Sequence, residues 1–320
     1  MRDDLYRTIL ETVEDGVYFV DPERRITFWN AGAEHITGYS SDEVMHHSCS
    51  DDILRHVSEG GDQLCLHGCP LAGVMSDGRP RAAKVYLHHK NGHRVPVLVK
   101  ARPLYDDAGE IVGSVEVFTR RKANQFADVS ERERQENAFI DPLTDLGNRR
   151  FGEAHLKPMM DAVVSGDSTL GLVFIDVDKF KQINDSRGHH TGDMLLRMVG
   201  QTLANGLRVT DMVVRWGGEE FLAALPGVKP SALLATAERL RMLVDHSWIQ
   251  LDDGQVRATI SVGAVMVSPG ESLDQAIERA DRLMYASKHA GRNLVTGEDG
   301  PVPRLRSSEP LLQVGGVSEI

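Results

Sequence analysis

Short apolar runs separated by polar turns dominate the first third of the chain. Val17-Tyr-Phe-Val20, a turn at Asp21-Pro22 and Ile26-Thr-Phe-Trp29 predict a first hairpin. Lys84 to His88, a turn at Asn91-Gly92 and Arg94 to Ala101 predict a second. Asp106-Asp-Ala-Gly109 then turns the chain into a last strand from Ile111 to Thr119. Short helical segments fall between the hairpins, one of them with Ser41 as cap ahead of Asp42-Glu-Val44. Two strands, short helices and three strands make a compact α+β module.

The pattern changes in the second half, where helical and strand periods alternate. Ser168 to Ile175 predicts a strand, and a helix from about Gly192 to Leu207 has Leu196, Val199, Leu203 and Leu207 on one face. Val213-Val214, the segment Arg215-Trp-Gly-Gly-Glu-Glu-Phe221 and Phe221-Leu-Ala-Ala-Leu225 predict strand, tight turn, strand. Pro230 suits the first turn of a helix carrying Leu233, Ala237, Leu240, Val244 and Trp248 inward. Ala258 to Val267 predicts a strand. Leu273, Ile277, Ala280 and Met284 stripe a last helix that Gly291 terminates. These stripes are core packing. Between the halves, residues 120–141 are charged, with Phe126, Val129 and Ile140 near heptad spacing and Glu133 and Glu136 between them. That predicts a helical linker, either a solvated spacer or a parallel coiled coil. Residues 298–320 are polar and contain Pro, which predicts a disordered tail.

Length and charge narrow the function. The chain has 320 residues, enough for two domains, and 41% hydrophobic content, enough for packed cores. It contains no apolar run of roughly 18 residues, so no membrane span is expected. The charged start Met1-Arg-Asp-Asp4 does not read as a secretory leader, and three cysteines do not read as a disulfide framework; a cytoplasmic protein is expected. A net charge of -11 argues against general nucleic-acid binding, which needs a basic face, but leaves a nucleotide site open.

The candidate chemistry gathers in two segments. The glycines Gly217 and Gly218 permit a sharp turn and a close ligand approach, and Glu219 and Glu220 stand at its tip. Carboxylates at such a turn suit Mg²⁺ and phosphate chemistry. An apolar strand runs into Asp176, and Asp178, Lys181, Asn184 and Asp193 follow within short reach. Metal, phosphate and base ligands are thus collected in one stretch.

With these residues in view, the stretch from about Asp141 to Gly297 resembles the GGDEF family, the diguanylate cyclases. Asp141-Pro-Leu-Thr-Asp-Leu-Gly-Asn-Arg149 is similar to that family's opening signature and Tyr285-Ala-Ser-Lys-His-Ala-Gly-Arg-Asn293 to its closing one. The first module, with "DGVYFVD", "ITFWNAGAEHITGYSSDEV" and "GEIVGSVEVFTR", resembles a PAS domain. The resemblances imply a PAS sensor at 1–119, a linker at 120–141, a GGDEF domain at 142–297 with a nucleotide-cyclase-like sheet wrapped by helices, and a tail at 298–320. They imply an enzyme that joins two GTP into cyclic di-GMP and two pyrophosphates between two protomers of a homodimer, with two Mg²⁺ or Mn²⁺ ions per site.

Residue by residue, the resemblance puts Asp176, the Val177 carbonyl and Glu219 on metal. Glu219 also assists hydroxyl deprotonation, and Glu220 either binds metal or holds a lysine. Asn184 and Asp193 become guanine contacts, and an acceptor suits guanine because its N1 carries a proton that adenine lacks. Lys181, Lys288 and Arg292 become triphosphate contacts, with Phe180, Arg215, Gly217 and Gly218 also lining the substrate. Arg208-Val-Thr-Asp211 is similar to the family's RxxD site for inhibitory product. Separately, Cys49, Cys65 and Cys69 with His47 and His67 are candidates for a sensor metal or redox site, against the plainer reading of reduced core cysteines. The PAS ligand and its signal stay open. A non-catalytic cyclic di-GMP or GTP receptor and an interaction scaffold are the alternatives to the cyclase.

Overall fold

The computed structural model describes residues 2–48, 51, 53–66, 68–121 and 139–304. The chain divides into two compact units, the first ending at Arg121. Among the described residues no helix is long and apolar enough to cross a membrane. The linker seam at Phe126 and Val129 lies outside the described residues.

The first unit is an antiparallel sheet covered on one face by helices and loops. Its elements are α1 (Arg2–Thr12), β1 (Gly16–Val20), β2 (Ile26–Trp29), α2 (Ala31–Thr37), α3 (Ser41–Val44), β3 (Val57–Ser58), α4 (Pro70–Asp77), β4 (Arg81–His88), β5 (Arg94–Tyr105) and β6 (Ile111–Arg120). The strand order is β2-β1-β6-β5-β4-β3, so the last strand closes beside the first. Alternate positions of β5, Val95 through Ala101, join Tyr18, Phe118 and Leu87 in one core. Asn30 locks the start of this unit: its Oδ1 accepts from Val17 N and Ala33 N, and its Nδ2 donates to Leu10 O and Asp15 O. The cap of α3 is Ser40, not Ser41; Glu43 completes a capping box with Ser40. The helix α1 and the two-residue β3 carry little periodic signal and were not anticipated.

The second unit is a sheet with helices on both faces. Its elements are β7 (Gly147–Asn148), α5 (Arg149–Val164), β8 (Leu170–Val177), α6 (Phe180–Arg187), α7 (His189–Gly206), β9 (Met212–Arg215), β10 (Glu220–Pro226), α8 (Pro230–Asp245), β11 (Ile249–Leu251), β12 (Gly254–Val256), β13 (Ile260–Met266), α9 (Leu273–His289), β14 (Val295–Gly297) and β15 (Gly300–Pro301). The main sheet runs β15-β14-β13-β8-β10-β9-β7, and β11 and β12 form a separate hairpin. Every residue of central β8 is buried. Val173 and Ile175 pack with Leu196, Leu203 and Leu240 on one face, Leu172 and Phe174 with Leu156, Ala276 and Ala280 on the other. Two covered faces explain why β8 reads as a continuous apolar run.

Four details depart from the sequence reading. β8 extends to Val177, so Asp176 lies inside the strand and not just past its end. α8 ends at Asp245, and Trp248 is buried beyond it. A helix absent from the sequence reading, α5, follows the opening signature, and its N-cap Asn148 accepts from Phe151 N. Residues 298–304, assigned to a tail, include β15, which pairs with β14; the rest of that tail lies outside the described residues.

Candidate functional site

One end of the second sheet collects the carboxylates, and strand pairing puts them there. Asp176 on β8 lies opposite Glu220 on β10 and Ser261 on β13. The turn between β9 and β10 is closed by Trp216 N and Gly217 N, which donate to Glu220 O at 2.8 and 3.2 Å. Val177 N donates to Glu219 O at 3.2 Å, so Glu219 is held against the end of β8 by its own backbone. The ammonium of Lys288, from the last turn of α9, sits 2.7 Å from Asp176 Oδ2.

This crowding has an electrostatic signature. Burial pushes the carboxyl of Asp176 up, Asp178 and Asp281 add to that, and Lys288 opposes it. Burial and then Asp176 raise Glu219; burial, Asp176 and Asp281 raise Glu220. Carboxyls that raise one another form a site that favours cations. Among the described residues no three His, Cys, Asp or Glu side chains are gathered so as to hold a metal unaided. That suits Mg²⁺, which is commonly held by one or two carboxylates together with substrate phosphates. Asp281 was missed in the sequence because its position on α9 next to the apolar stripe looks like solvated surface.

The two turn glycines differ. A Cβ on Gly218 would meet nothing within 4 Å, whereas one on Gly217 would come 2.3 Å from Glu220 Oε2. Arg215 braces the turn. Its Nη2 and Nε donate to Gly218 O at 2.6 and 3.2 Å, and its Nη1 spans both oxygens of Asp141 at 3.1 and 3.0 Å. The opening signature and the hairpin are therefore one mechanical unit, and Arg215's donors are largely committed to it.

The predicted base contacts lie between α6 and α7. Asn184 packs against Gly192, where a Cβ would fall 1.9 Å from Asn184 Oδ1. That Oδ1 is buried without a hydrogen-bond partner among the described residues. Asp193, half-buried, follows Gly192 directly. Phe180 is buried in the core, and its ring packs on Gly192, where a Cβ would fall 3.1 Å from the ring tip, so the ring walls this region from below the surface. Lys181 and Arg292 are exposed. Asp178, gathered with the ligands in the sequence, is instead saturated: it accepts from Thr259 Oγ1 and Ser261 Oγ, both at 2.6 Å, and from Asn293 N at 3.0 Å.

Asp211 is buried and accepts from Arg208 N at 2.9 Å, while the Arg208 side chain is exposed. Burial pushes the Asp211 carboxyl up, and Arg208 and Arg239 oppose it.

In the first unit, Cys49 and His67 lie outside the described residues, and His47 is exposed. Cys65 Sγ accepts from His56 N at 3.3 Å, and burial pushes its thiol up to about 12, far from a reactive thiolate. The buried polar pair nearby was missed. Glu116 accepts from the Tyr18 hydroxyl at 3.1 Å and lies 3.8 Å from His56 Nε2. Burial raises Glu116 to about 8 and lowers His56 to about 4. The signal was available: Glu116 shares its strand parity with inward-facing Phe118 and Ser114.

Comparison with known proteins agrees with the two-unit architecture. Residues 14–119 match the family model described as PAS domain, and residues 138–294 match the one described as diguanylate cyclase, GGDEF domain. Probable diguanylate cyclase DgcE of Escherichia coli (strain K12) is 31% identical over 90% of this chain and 25% of its own length. Diguanylate cyclase DosC of the same strain is 37% identical over 53% of this chain and 36% of its own length. The chain thus spans well under half the length of these relatives. The GGDEF domain of DgcB from Caulobacter crescentus, solved in complex with c-di-GMP, is 34% identical, covering 51% of this chain and 97% of that one, with a TM-score of 0.49.

Proposed function

Since this chain belongs to the PAS–GGDEF family, we propose that it is a diguanylate cyclase, condensing two GTP into cyclic di-GMP and two pyrophosphates. The observation that carries this is the convergence of Asp176, Glu219 and Glu220 at one sheet end, each carboxyl raised by burial and by its neighbours. Placing negative charge together costs stability, and the arrangement is explained by a cationic partner.

Each chain contributes half of the reaction site. The 3′-oxygen of one GTP attacks the α-phosphorus of the other; a P–O bond forms, the bond to pyrophosphate breaks, and the hydroxyl proton leaves. A second such step closes the ring. Asn184 and Asp193 accept from the guanine N1–H and N2–H₂ donors, and the Asn184 side chain, whose buried Oδ1 has no hydrogen-bond partner among the described residues, turns outward to do so. Lys181, Lys288 and Arg292 hold the triphosphate, with Lys288 moving off Asp176 as phosphate arrives. Glu219 takes the hydroxyl proton. Mg²⁺ or Mn²⁺, held by Asp176, Glu219 and the Val177 carbonyl, would neutralise phosphate charge and make the hydroxyl more acidic. The chain's own part is orientation of two nucleotides, which is most of what such a transfer requires.

The same reading makes the protein a homodimer, with activity set by the PAS unit at 1–119 through the 120–141 linker. It makes Arg208 and Asp211 a feedback site for cyclic di-GMP: an exposed guanidinium can bond a guanine edge in two places. The test is GTP turnover with Mg²⁺ by the full chain, with the product identified by mass, beside Glu219→Gln. Cyclic di-GMP from the parent and none from the variant is expected. Equal turnover by the variant would remove Glu219 from the chemistry, and no product from a folded, dimeric parent would count against the cyclase.

A further inference from the structure

The loop after α9 carries an unusual run of left-handed backbone. Gly291, Arg292 and Asn293 have φ of 117°, 66° and 48°, three successive residues in the left-handed region, two of them not glycine. Such a conformation persists only where its surroundings over-determine it. Here three tethers do so. Arg292 N donates to Ser287 O at 3.0 Å, and Asn293 N donates to Asp178 Oδ2 at 3.0 Å. Arg241 Nη1 donates to Asn293 Oδ1 at 2.5 Å.

The anchors are themselves rigid. Asp178 is held by Thr259 and Ser261, and Arg241 is buried and bonded in a bidentate pair to Glu238 at 2.8 and 2.9 Å. Arg241 Nη1 also donates to Asp245 Oδ2 at 3.2 Å, and among the described residues neither anchor hydrogen-bonds to Asp176, Glu219 or Glu220. What the loop presents is Arg292. It lines an open groove of about 440 Å³ between α6, residues 257–259 and residues 291–293, together with Lys179 and Arg257. The acid in that groove, Asp178, already has three donors, so the three cations dominate it.

We propose that Asn293 and Arg241 are positioning residues: a relay from buried Glu238 through Arg241 to Asn293, matched by Asp178 on the backbone side, aims Arg292 at a polyphosphate group. The inference rests on the reading of Arg292 as a phosphate contact and adds what holds it in place. A flexible surface arginine loses side-chain and loop freedom on binding; a loop already ordered avoids that loss and binds more tightly.

The experiment is calorimetric binding of inorganic triphosphate with Mg²⁺ to the full chain. Arg292→Gln should weaken it about tenfold, the scale expected for a charged hydrogen bond. Asn293→Gly keeps the left-handed backbone without strain but removes the Arg241 tether, and should weaken binding by a similar factor. Asn293→Asp retains an acceptor and should bind as the parent does. Because Asn293 acts through Arg292, Asn293→Gly should add little once Arg292→Gln is present. Parent-like binding by Asn293→Gly, its full effect repeated on top of Arg292→Gln, or no binding by the parent would each overturn the relay. GTP turnover by the parent is read separately. The stated binding pattern without cyclic di-GMP formation would keep the relay and count against the cyclase.

Discussion

Glu116 shows how much one buried residue can set. Its carboxyl, raised to about 8, is neutral in the folded first unit at pH values where an unfolded chain would ionise it. A raised folded value means stability that is present at low pH and lost as pH climbs toward 8. His56, lowered to about 4, acts in the opposite sense, adding stability with rising pH up to its ordinary value of 6.5. Above 6.5 only the loss from Glu116 continues. The parent should therefore unfold more easily at pH 8 than at pH 6.5, and Glu116→Gln should flatten that dependence and be the more stable at pH 8. Denaturant unfolding at both pH values checks it; an unchanged slope in the variant would refute the assignment. Single residues were unevenly legible at the sequence level. Glu219 and Asp176 stand out because glycines and an apolar run frame them. Glu116 and Arg241 do not, because a charge on a strand or helix looks solvated until the facing layer is known.

At the scale of elements, the β9–β10 hairpin depends on a contact that its own sequence does not contain. Arg215 ties the Gly218 carbonyl to Asp141, which lies 74 residues earlier. Lysine keeps the charge at this position but cannot span both carboxylate oxygens while also reaching the carbonyl. Arg215→Lys should lower cyclic di-GMP formation about tenfold, on the scale of a lost charge-assisted hydrogen bond. Its Tm should stay close to the parent's, since β10 remains paired to β8 and β9 to β10. Full activity in Arg215→Lys would show that the turn needs no brace. The elements themselves follow from local pattern, and most ends fall within two residues of the predicted ones. Helices α1 and α5 were missed as well, and the shortest strands were missed for a reason of their own. β3, β7 and β15 are two residues each and exist only because a longer strand lies alongside to pair with.

For the whole molecule, the proposed reaction needs two chains, since in that proposal each GGDEF unit orients one GTP. Specific activity should then fall on dilution as protomers separate, and a forced dimer should resist that fall. Specific activity that stays constant across a wide dilution series, with the protein monomeric throughout, would refute the shared site. The linker seam at residues 120–141 and the candidate sensor group at Cys49 and His67 belong to the same scale, and their test is function in the full chain.

Local sequence was enough to establish the α+β class, the two successive units, and the family to which they belong. Apolar periodicity, turn residues and short motifs are properties of neighbours along the chain, and neighbours suffice for them. Tertiary structure alone decided which charged residues act together. Asp178 resembled a ligand and became an anchor, because Thr259, Ser261 and Asn293 fold back to saturate it. Lys288 met Asp176, 112 residues away, because α9 returns across the sheet to the end of β8. Burial and long-range pairing set the energies of charges, and both arise only when distant segments come into contact.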